Sequence, residues 1–381
     1  KSLCYQLPAL MLPGLTLVVS PLIALMKDQV EVLLGRGIQA AYINSSLTPA
    51  QNAYTLAQVK AGAIRILYVA PERFPSEEFV AVLRVIPISL IAIDEAHCVS
   101  QWGHDFRPDY LNLKRSIAAL PTHPVVLACT ATATPEVQDD IIAQLGLKAP
   151  KVFVRGFDRP NLTFLAASGL DEYDREKLLV HTAETLQGAG IVYAGTRRRA
   201  EELSALLVDH DIPALAYHAG MKTEERKTVQ DEFMAGKVRV MVATVAFGMG
   251  IDKQDIRFVV HAHMPSSLES YYQEAGRAGR DGNPALCLLM HAYKDRRLHE
   301  YFIQKSLEEM LDRGKPKDEA LQYASLRSAR LQVIHWYATR RACRRKQILQ
   351  YFGDPDVESL KCDVGCDVCL EWLPTHSIPL V

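Results

Sequence analysis

The sequence lacks any apolar run approaching the roughly 20 residues of a membrane-spanning helix, which excludes an integral membrane protein. It also lacks an excess of charge of one sign, because 43 basic residues face 44 acidic ones and the net charge is −1. Overall charge therefore gives no support for nucleic-acid binding, which would depend on local patches. Cysteine is scarce, with 8 in 381 residues and half of them in the last 39. This scarcity excludes a disulfide scaffold and favours an intracellular protein with one metal site.

The composition is that of folded domains, with 49% hydrophobic and 23% charged residues. Short apolar runs alternate with helical segments, a pattern that indicates a parallel sheet covered on both faces. A first series of predicted strands comprises residues 15–20, 40–44, 65–70, 90–94 and 125–130. A second series comprises residues 162–166, 190–193, 214–217, 238–243, 258–262 and 286–291. The sequence thus predicts two α/β domains in series.

Domain boundaries are predicted from breaks in this alternation. The first break lies near residues 146–150, and after Tyr293 the pattern becomes mostly helical, with an interruption near residues 314–316. We therefore expect a first domain over residues 1–155, a second over 156–292, and a small helical domain over 293–381.

The first two residues, Lys1 and Ser2, match the end of a phosphate-binding loop, Gly-x-x-x-x-Gly-Lys-Ser. In such a loop the lysine reaches the β- and γ-phosphates of a nucleotide and the serine binds Mg²⁺. Two residues alone have little specificity, and an arbitrary chain start is the alternative. Because the chain does not begin with methionine, we expect it to be cut from a longer protein within this loop.

A buried strand is predicted to end in the acidic pair Asp94-Glu95, followed by Ala96 and His97. Acidic residues at the tip of a parallel strand lie at the edge where ligands bind. Asp94 could hold Mg²⁺, and Glu95 could orient and deprotonate a water that attacks the γ-phosphate. The alternative, a solvated pair opening a helix, fits less well with the wholly apolar strand.

Two arginines, Arg277 and Arg280, lie three residues apart with glycines between and beside them, and we expect them to share one helical face. An arginine from a second domain can neutralise charge that develops on a transferred phosphoryl group. The alternative is a surface helix with ordinary ion pairs.

These motifs together resemble those of superfamily 2 helicases: Lys-Ser at the start, Asp-Glu-Ala-His at 94–97, and Gln-x-x-Gly-Arg-x-Gly-Arg at 273–280. Residues 94–110, Asp-Glu-Ala-His-Cys-Val-Ser-Gln-Trp-Gly-His-Asp-Phe-Arg-Pro-Asp-Tyr, are similar to the extended motif II and aromatic-rich loop of RecQ-family DNA helicases. Further matches to that family lie at residues 19–29, 68–73, 130–134, 217–221 and 243–253. The resemblance extends from Lys1 to about Leu370.

The resemblance implies two RecA-like domains and an ATP-driven DNA helicase that moves 3′ to 5′ on single-stranded DNA. It implies that Lys1 and Ser2 bind phosphate and Mg²⁺, Asp94 holds Mg²⁺ and Glu95 activates water. Arg280 is the expected arginine finger, and Arg277 is the alternative or a second phosphate contact. The remaining residues expected at the nucleotide are Gly250, Asp252 and Gln273.

The aromatic-rich loop is expected to bind DNA. Trp102 and Phe106 offer flat faces on which bases can stack, and Arg107 adds a cation. Tyr110 is expected in the core instead. The other residues expected at DNA lie in this loop or at strand ends, where hydroxyls and amides grip phosphates without reading sequence: His104, Ser20, Arg73, Thr130 and His218.

Four cysteines near the C-terminus have the spacing C-x18-C-x3-C-x2-C: Cys343, Cys362, Cys366 and Cys369. Four thiolates at such spacings suit tetrahedral zinc, and the helicase family has a zinc-binding subdomain of this arrangement. Two disulfides and an iron–sulfur cluster are the alternatives. The remaining cysteines are expected to be ordinary buried thiols: Cys4, Cys98, Cys129 and Cys287.

Residues 327–346 contain seven basic residues and no acidic ones. Contact with phosphates and a solvated helix face are equally compatible with this stretch.

The partners expected from the resemblance are single-stranded DNA and duplex or fork DNA. A single-stranded DNA-binding protein or repair factors would bind through regions outside this sequence. We expect a monomer in the bacterial cytoplasm, or in the nucleus of a eukaryote, acting in DNA repair and recombination. An RNA helicase and a non-catalytic adaptor are the rival interpretations. Because the glycine loop is missing, we expect the 381-residue chain alone to be severely impaired as an ATPase.

Overall fold

The computed structural model describes residues 1–103, 105–154, 156–248, 253–363, 365–375 and 378. The chain divides into two compact units, Lys1–Phe153 and Val154–Val381. A further boundary at residue 293, inside the second unit, stays a prediction. No helix in the described ranges is both long and apolar enough to cross a membrane.

The first unit is a parallel α/β sheet with helices. Its helices are α1 (Leu3–Met11), α2 (Ile23–Gly35), α3 (Pro49–Lys60), α4 (Glu77–Arg84), α5 (Leu113–Ala118) and α6 (Pro135–Leu145). Its strands are β1 (Leu15–Val19), β2 (Ala40–Ile43), β3 (Ile66–Val69), β4 (Ile88–Ile93) and β5 (Val125–Ala128). The strand order is β2-β3-β1-β4-β5, and every described pair is parallel.

The second unit has a larger parallel sheet of the same kind. Its strands are β6 (Leu162–Ser168), β7 (Ala189–Tyr193), β8 (Ala214–Tyr217), β9 (Val240–Ala243), β10 (Ile256–His261) and β11 (Ala285–His291). Their order is β6-β11-β10-β7-β9-β8. The helices between these strands are α7 (Glu172–Thr185), α8 (Arg197–Asp209), α9 (Thr223–Met234) and α10 (Leu268–Ala275).

The end of the second unit is helical. It contains α11 (Tyr293–Asp312), α12 (Lys317–Thr339) and α13 (Arg344–Phe352), with the predicted break between α11 and α12. Ile334 and Tyr337 of α12 and Phe352 of α13 are buried in the same core cluster as residues of β6, β10 and β11. The prediction of two parallel α/β domains plus a helical region is therefore confirmed.

The two sheets repeat one topology, because β7 to β11 occupy the places of β1 to β5 and β6 adds an edge strand. A shared arginine contact supports this equivalence. Arg65, just before β3, donates through Nε to Ala9 O of α1 at 2.8 Å, and also to Leu12 O. Arg239, just before β9, donates to Ala183 O of α7 and to Leu186 O. In each unit a cation thus binds carbonyls at the C-terminus of the first helix, where unpaired acceptors need donors.

The carboxyl ends of parallel strands meet at one edge of a sheet, and in the first unit that edge collects the predicted functional loops. Ser20 follows β1, Arg73 ends a 3-10 turn after β3, Asp94 follows β4, and Thr130 follows β5. The strands themselves are apolar and largely buried, so the side chains that could bind a ligand lie in the loops at their ends.

Candidate nucleotide site and cysteine centre

Asp94 and Glu95 form a sharp turn between β4 and a 3-10 helix, Ala96–Val99. Glu95 adopts the left-handed conformation, with φ 46° and ψ 47°, and its amide donates to Asp94 Oδ1 at 3.0 Å. The neighbouring backbone continues the sheet, since the amide of Asp94 donates to Val19 O and that of Ala96 to Cys129 O. The turn therefore directs two adjacent carboxylates from a rigid strand end.

Lys1 lies against both carboxylates. Its Nζ is 2.7 Å from Glu95 Oε1 and 3.9 Å from Asp94 Oδ1. Ser2 is half-buried at the start of α1 and makes no capping bond with its side chain. Lys1 and the two carboxylates thus form one cluster in the first unit, whereas the place of Ser2 in a common site stays a prediction.

His97 links this site to the loop after β5. Its Nδ1 is 2.9 Å from Thr130 Oγ1 and 3.4 Å from Glu95 Oε2. Thr130 Oγ1 also accepts from the amide of Thr132 at 3.2 Å. The imidazole thus joins the carboxylate of one strand end to the hydroxyl of the next.

The two carboxylates fit a divalent cation. Burial raises the pKa of Asp94 above its usual value, although Lys1 acts in the opposite direction. Glu95 Oε2 is buried without a hydrogen-bond partner in the described part of the chain. Glu95 Oε2 accepts no hydrogen bond from the described residues, and burial disfavours the charged form of Asp94. A bound cation or an ordered water would stabilise both carboxylates.

The loop after His97 is fixed by close contacts. Ser100 Oγ donates to Asp140 Oδ2 at 2.5 Å and accepts from the amide of Trp102 at 3.1 Å. A Cβ on Gly103 would lie 2.1 Å from His97 O, so only glycine fits there. Trp102 is 44% exposed, whereas Tyr110 is fully buried and donates to Asp94 O at 3.3 Å. The expectation that Tyr110 belongs to the core is confirmed.

Arg107 is held in the same loop by Asp105, with Nη2 to Oδ2 at 3.0 Å, and its Nη1 donates to Pro21 O at 3.4 Å. This contact connects the aromatic-rich loop to the segment after β1 that contains Ser20. Ser20 Oγ is buried without a hydrogen-bond partner in the described ranges. Phe106 and Arg73 are half-buried.

In the second unit the two motif arginines do not share a helical face, so that prediction is wrong. Helix α10 ends at Ala275, and both arginines lie in the turns that follow. The chain leaves the helix at the C-cap residue Gly276, and the φ of 55° at Gly279 does not allow a right-handed helix to continue to Arg280. We call residues 276–280 the arginine loop.

The two arginines of this loop have different environments. Arg277 is buried beside Tyr193, and its Nε has no hydrogen-bond partner in the described part of the chain. Arg280 is exposed. Burial raises the pKa of Tyr193 to about 12, while the charge of Arg277 acts against that rise. Arg277 is thus a buried cation, and Arg280 is the more accessible one.

The remaining residues predicted for the nucleotide or DNA site lie in other parts of the chain. Gln273 lies half-buried within α10. His218, after β8, is buried, with Nε2 2.9 Å from Glu201 Oε1. His104, Gly250 and Asp252 lie outside the described residues.

The four C-terminal cysteines converge. All four Sγ atoms lie within 4.8 Å of one another, and Cys343 Sγ is 3.9 Å from Cys366 Sγ. Four sulfurs about 2.3 Å from one zinc ion would be about 3.8 Å apart in a tetrahedron, so the cluster fits zinc. No described pair is bonded as a disulfide, and sulfurs within 4.8 Å of one another suit a single ion better than a cluster of several irons.

The four thiols interact with one another. S–H donation from Cys343 and Cys362 lowers the pKa of Cys366, whereas the hydrogen bond with Cys343 raises the pKa of Cys362 and burial raises that of Cys369. Gly365 is needed there because a Cβ would lie 2.7 Å from Arg345 Cδ. The expectation of buried thiols is confirmed for Cys98 and Cys287, whereas Cys129 is half-buried and Cys4, near the start of α1, is exposed.

At its C-terminal end, where Arg344 and Arg345 are buried, the basic stretch is neither a solvated face nor a free phosphate site, whereas Arg340 and Arg341 are exposed. Arg344 is buried and pairs with Asp367 through two bonds, of 2.9 and 2.8 Å. Arg345 is buried and binds Asp158 Oδ1 through Nε at 3.1 Å. Burial is tolerated because each guanidinium has a carboxylate partner beside the cysteine cluster.

Sequence reasoning missed the segment Phe157–Asn161. Arg159 and Asn161 donate to backbone carbonyls of the arginine loop. The signal available was the run Phe-Asp-Arg-Pro-Asn, in which charged and amide side chains stand immediately before an apolar strand.

Three family models match successive parts of the chain: DEAD/DEAH box helicase over residues 1–141, helicase conserved C-terminal domain over 174–282, and RecQ zinc-binding over 293–370. The chain is 42% identical over 384 residues to the ATP-dependent DNA helicase RecQ of Bacillus subtilis (strain 168), covering 99% of this chain and 61% of that protein. It is 41% identical to the ATP-dependent DNA helicase Q5 of Mus musculus, covering 97% of this chain and 38% of that protein.

Solved structures show the same fold. Mycobacterium smegmatis helicase Lhr, bound to ssDNA and AMP-PNP, has a TM-score of 0.59 at 20% identity, covering 88% of this chain and 52% of that chain. The DUF1998 helicase MrfA, bound to DNA and AMPPNP, has a TM-score of 0.62 at 21% identity, covering 86% and 50%.

The fold and the order of matched domains define a two-domain helicase core followed by a zinc-binding region. Within that class, the chain belongs to the RecQ family. The chain spans 61% or less of the length of these two curated relatives.

Proposed function

We propose that this chain is the motor part of an ATP-dependent DNA helicase that moves 3′ to 5′ on single-stranded DNA and separates duplexes. The observation that carries the proposal is the convergence of Lys1, Glu95, His97 and Thr130 through contacts of 2.7 to 3.4 Å. The names of the relatives and the order of the matched domains support the same activity.

ATP with Mg²⁺ would supply an activated phosphoanhydride whose γ-phosphate is transferred to water. Lys1, now paired with Glu95, would bind phosphate oxygens and leave that carboxylate free. Ser2 and Asp94 have the hydroxyl and carboxylate oxygens that Mg²⁺ prefers. Glu95 would accept a proton from the attacking water through Oε2, which makes no hydrogen bond among the described residues, although His97 Nδ1 lies 3.4 Å away.

Arg280 is the arginine finger in this proposal, because it is exposed whereas Arg277 is buried. Its charge would stabilise the negative charge that develops on the phosphoryl oxygens. Arg277 would act as a second phosphate contact or support the loop from within. Gln273, Gly250 and Asp252 complete the proposed nucleotide residues of the second unit.

DNA would bind at the loops at the strand ends. Trp102 and Phe106 would stack on bases, and Arg107, His104 and the strand-end residues would contact phosphates. Those strand-end residues are Ser20, Arg73, Thr130 and His218. The bond between His97 and Thr130 gives a path by which DNA at these loops would act on Glu95.

Zn²⁺ would be held by Cys343, Cys362, Cys366 and Cys369, with no open position for catalysis. A role in DNA repair and recombination, a monomeric state, and binding of a single-stranded DNA-binding protein or repair factors belong to the same proposal. The proposal also includes a location with the cellular DNA, which is the bacterial cytoplasm or a nucleus.

The test is ATP hydrolysis by a protein that contains this chain with a complete phosphate-binding loop, measured with and without single-stranded DNA. Glu95→Gln should reduce turnover by about 10² to 10⁴-fold, the usual contribution of a general base. Glu78→Gln, on an exposed side chain of α4 in the first unit, is the matched control and should leave turnover unchanged.

Unwinding of DNA and RNA duplexes with 3′ or 5′ overhangs then tests substrate and direction. Preference for RNA would replace the proposal with an RNA helicase, and unwinding from 5′ overhangs would overturn the direction. DNA binding by a folded, zinc-loaded protein without any turnover would favour a non-catalytic adaptor.

A further inference from the structure

Residues 157–161, which we call the clamp segment, lead into β6 and contact the arginine loop. Arg159 Nη1 donates to Gly276 O at 3.2 Å, and its Nη2 donates to Ala278 O at 3.0 Å and Gly279 O at 3.1 Å. Asn161 Nδ2 donates to Gly279 O at 2.8 Å. Two side chains thus bind the backbone carbonyls of one five-residue loop.

These bonds act just beyond the C-terminus of α10, on carbonyls of the turns that follow the helix. The guanidinium supplies several donors in a fixed plane, and its charge lies favourably at the negative end of the helix. The fit is close, because a Cβ on Gly279 would lie 2.4 Å from Asn161 Nδ2. The conformation of the loop and the position of Asn161 therefore specify each other.

The other side of the clamp segment is anchored in the helical region. Phe157 stacks on Phe352 with ring centroids 4.7 Å apart and planes at 6°, and its amide donates to Asp354 Oδ2 at 3.1 Å. Asp158 accepts from Arg345, two residues after Cys343. Tyr272 of α10 donates from its hydroxyl to Phe157 O at 2.7 Å. The segment is thus held on both sides, which is more than a lead-in to a strand requires.

We propose that Arg159 and Asn161 are positioning residues that hold the arginine loop in the conformation needed for ATP hydrolysis. This inference rests on the proposed function. Neither residue is assigned a contact with nucleotide; each acts through the backbone that carries Arg277 and Arg280. Because a misplacement of about 1 Å can cost about 100-fold in rate, loosening this backbone should lower turnover more than binding.

The test compares Arg159→Lys and Asn161→Ala with a matched control, Arg239→Lys. Arg239 also donates to backbone carbonyls at a helix C-terminus of the second unit, but not to the arginine loop. We expect kcat for ATP hydrolysis to fall by about 10- to 100-fold in both clamp variants, with KM and DNA affinity changed less than about threefold. The control should lose thermal stability but keep its kcat.

A second comparison uses the Arg280→Ala background. If Arg159 acts through the arginine loop, Arg159→Lys should cost little further rate once Arg280 is absent. Equal losses in both backgrounds would overturn the proposal, as would an unchanged kcat in a folded Arg159→Lys protein.

Amide hydrogen exchange gives a readout that does not depend on activity. Exchange at residues 276–283 should be faster in both clamp variants and unchanged in Arg239→Lys. If the unmodified protein hydrolyses no ATP, the proposed function fails, yet this exchange pattern still tests the clamp. Unchanged exchange in both clamp variants would show that the loop does not need these residues.

Discussion

Glu95 is the residue at which backbone strain and proposed chemistry coincide. Its φ of 46° lies in the left-handed region, which costs a non-glycine residue roughly 1–2 kcal/mol. The strain is offset by the buried strand β4 before the turn and by the buried residues Ala96, His97 and Cys98 after it. A left-handed residue here turns the chain out of the sheet and places its carboxylate near Lys1 and His97. Such strain is typical of functional sites.

The first prediction compares two substitutions that both remove this carboxylate. Glu95→Gly should be more stable to unfolding than Glu95→Ala by about 1 kcal/mol, because glycine adopts the left-handed conformation without a steric penalty. Thermal or urea unfolding of the two proteins measures the difference.

Both variants should be inactive, so stability and activity separate at this position. Equal stability of the two proteins, or a more stable alanine variant, would show that the turn relaxes on substitution and that the conformation is not required. Glu72→Gly and Glu72→Ala provide the reference for a residue outside the left-handed region.

A group of four histidines, of which His291 is buried and the others are half-buried, lies where β10 and β11 meet α11 and α12. His263 and His299 have ring centroids 4.9 Å apart, and His335 Nδ1 is 3.1 Å from His291 Nε2. The Nε2 of His263 has no hydrogen-bond partner in the described ranges, and Asp295 is the nearby carboxylate. Burial lowers the pKa of all four imidazoles, and that of His263 falls to about 4.

The second prediction follows from the lowered pKa of His263. Below pH 6.5 the unfolded chain binds protons at His263 that the folded protein does not bind, so stability is complete above pH 6.5 and is lost as the pH falls towards 4. Between pH 7 and pH 5 the loss from His263 should be about 2 kcal/mol. Unfolding midpoints measured across this range test it.

His263→Phe keeps a ring at this position but cannot titrate, so its stability should depend less on pH. His181→Gln, on an exposed face of α7, is the matched control and should keep the original dependence. A His263→Phe protein with the same pH profile as the unmodified chain would contradict the assignment.

The same elements show what could be predicted from the sequence. Apolar runs identified the strands because a parallel sheet buried on both faces requires continuous hydrophobic segments. The carboxylate pair could be placed because it follows such a run directly. The helical face proposed for Arg277 and Arg280 was wrong, because local spacing does not reveal where a glycine ends a helix. The sequence could not predict that Arg344 pairs with Asp367 and Arg345 with Asp158, because each carboxylate is distant from its arginine in the sequence.

At the scale of the whole chain, the loop that carries Cys362, Cys366 and Cys369 is hydrogen-bonded to β6, an edge strand of the sheet in the second unit. The amide of Phe164 in β6 donates to Gly365 O at 3.0 Å, and that of Asp367 donates to Phe164 O at 3.0 Å. Asp367 in turn pairs with Arg344 beside Cys343. A metal held by the four thiols would therefore join three segments into one cooperative element: β6, α13 and the loop that carries the last three cysteines.

The third prediction is that removal of zinc destabilises the second unit selectively. Binding of structural zinc contributes about 10–16 kcal/mol in small metal-dependent domains, so its loss should melt the loop at least locally. After chelation of the 381-residue chain, amide exchange over residues 341–375 and at β6 should become at least about 100-fold faster. Exchange over residues 1–153, which form a separate compact unit, should stay unchanged.

Cys369→Ser should reproduce the effect without chelator, and Cys4→Ser should not, because Cys4 lies in the other unit. Faster exchange throughout both units would instead show that zinc supports the fold of the entire chain, and unchanged exchange near Cys366 would show that the thiols hold this loop without a metal.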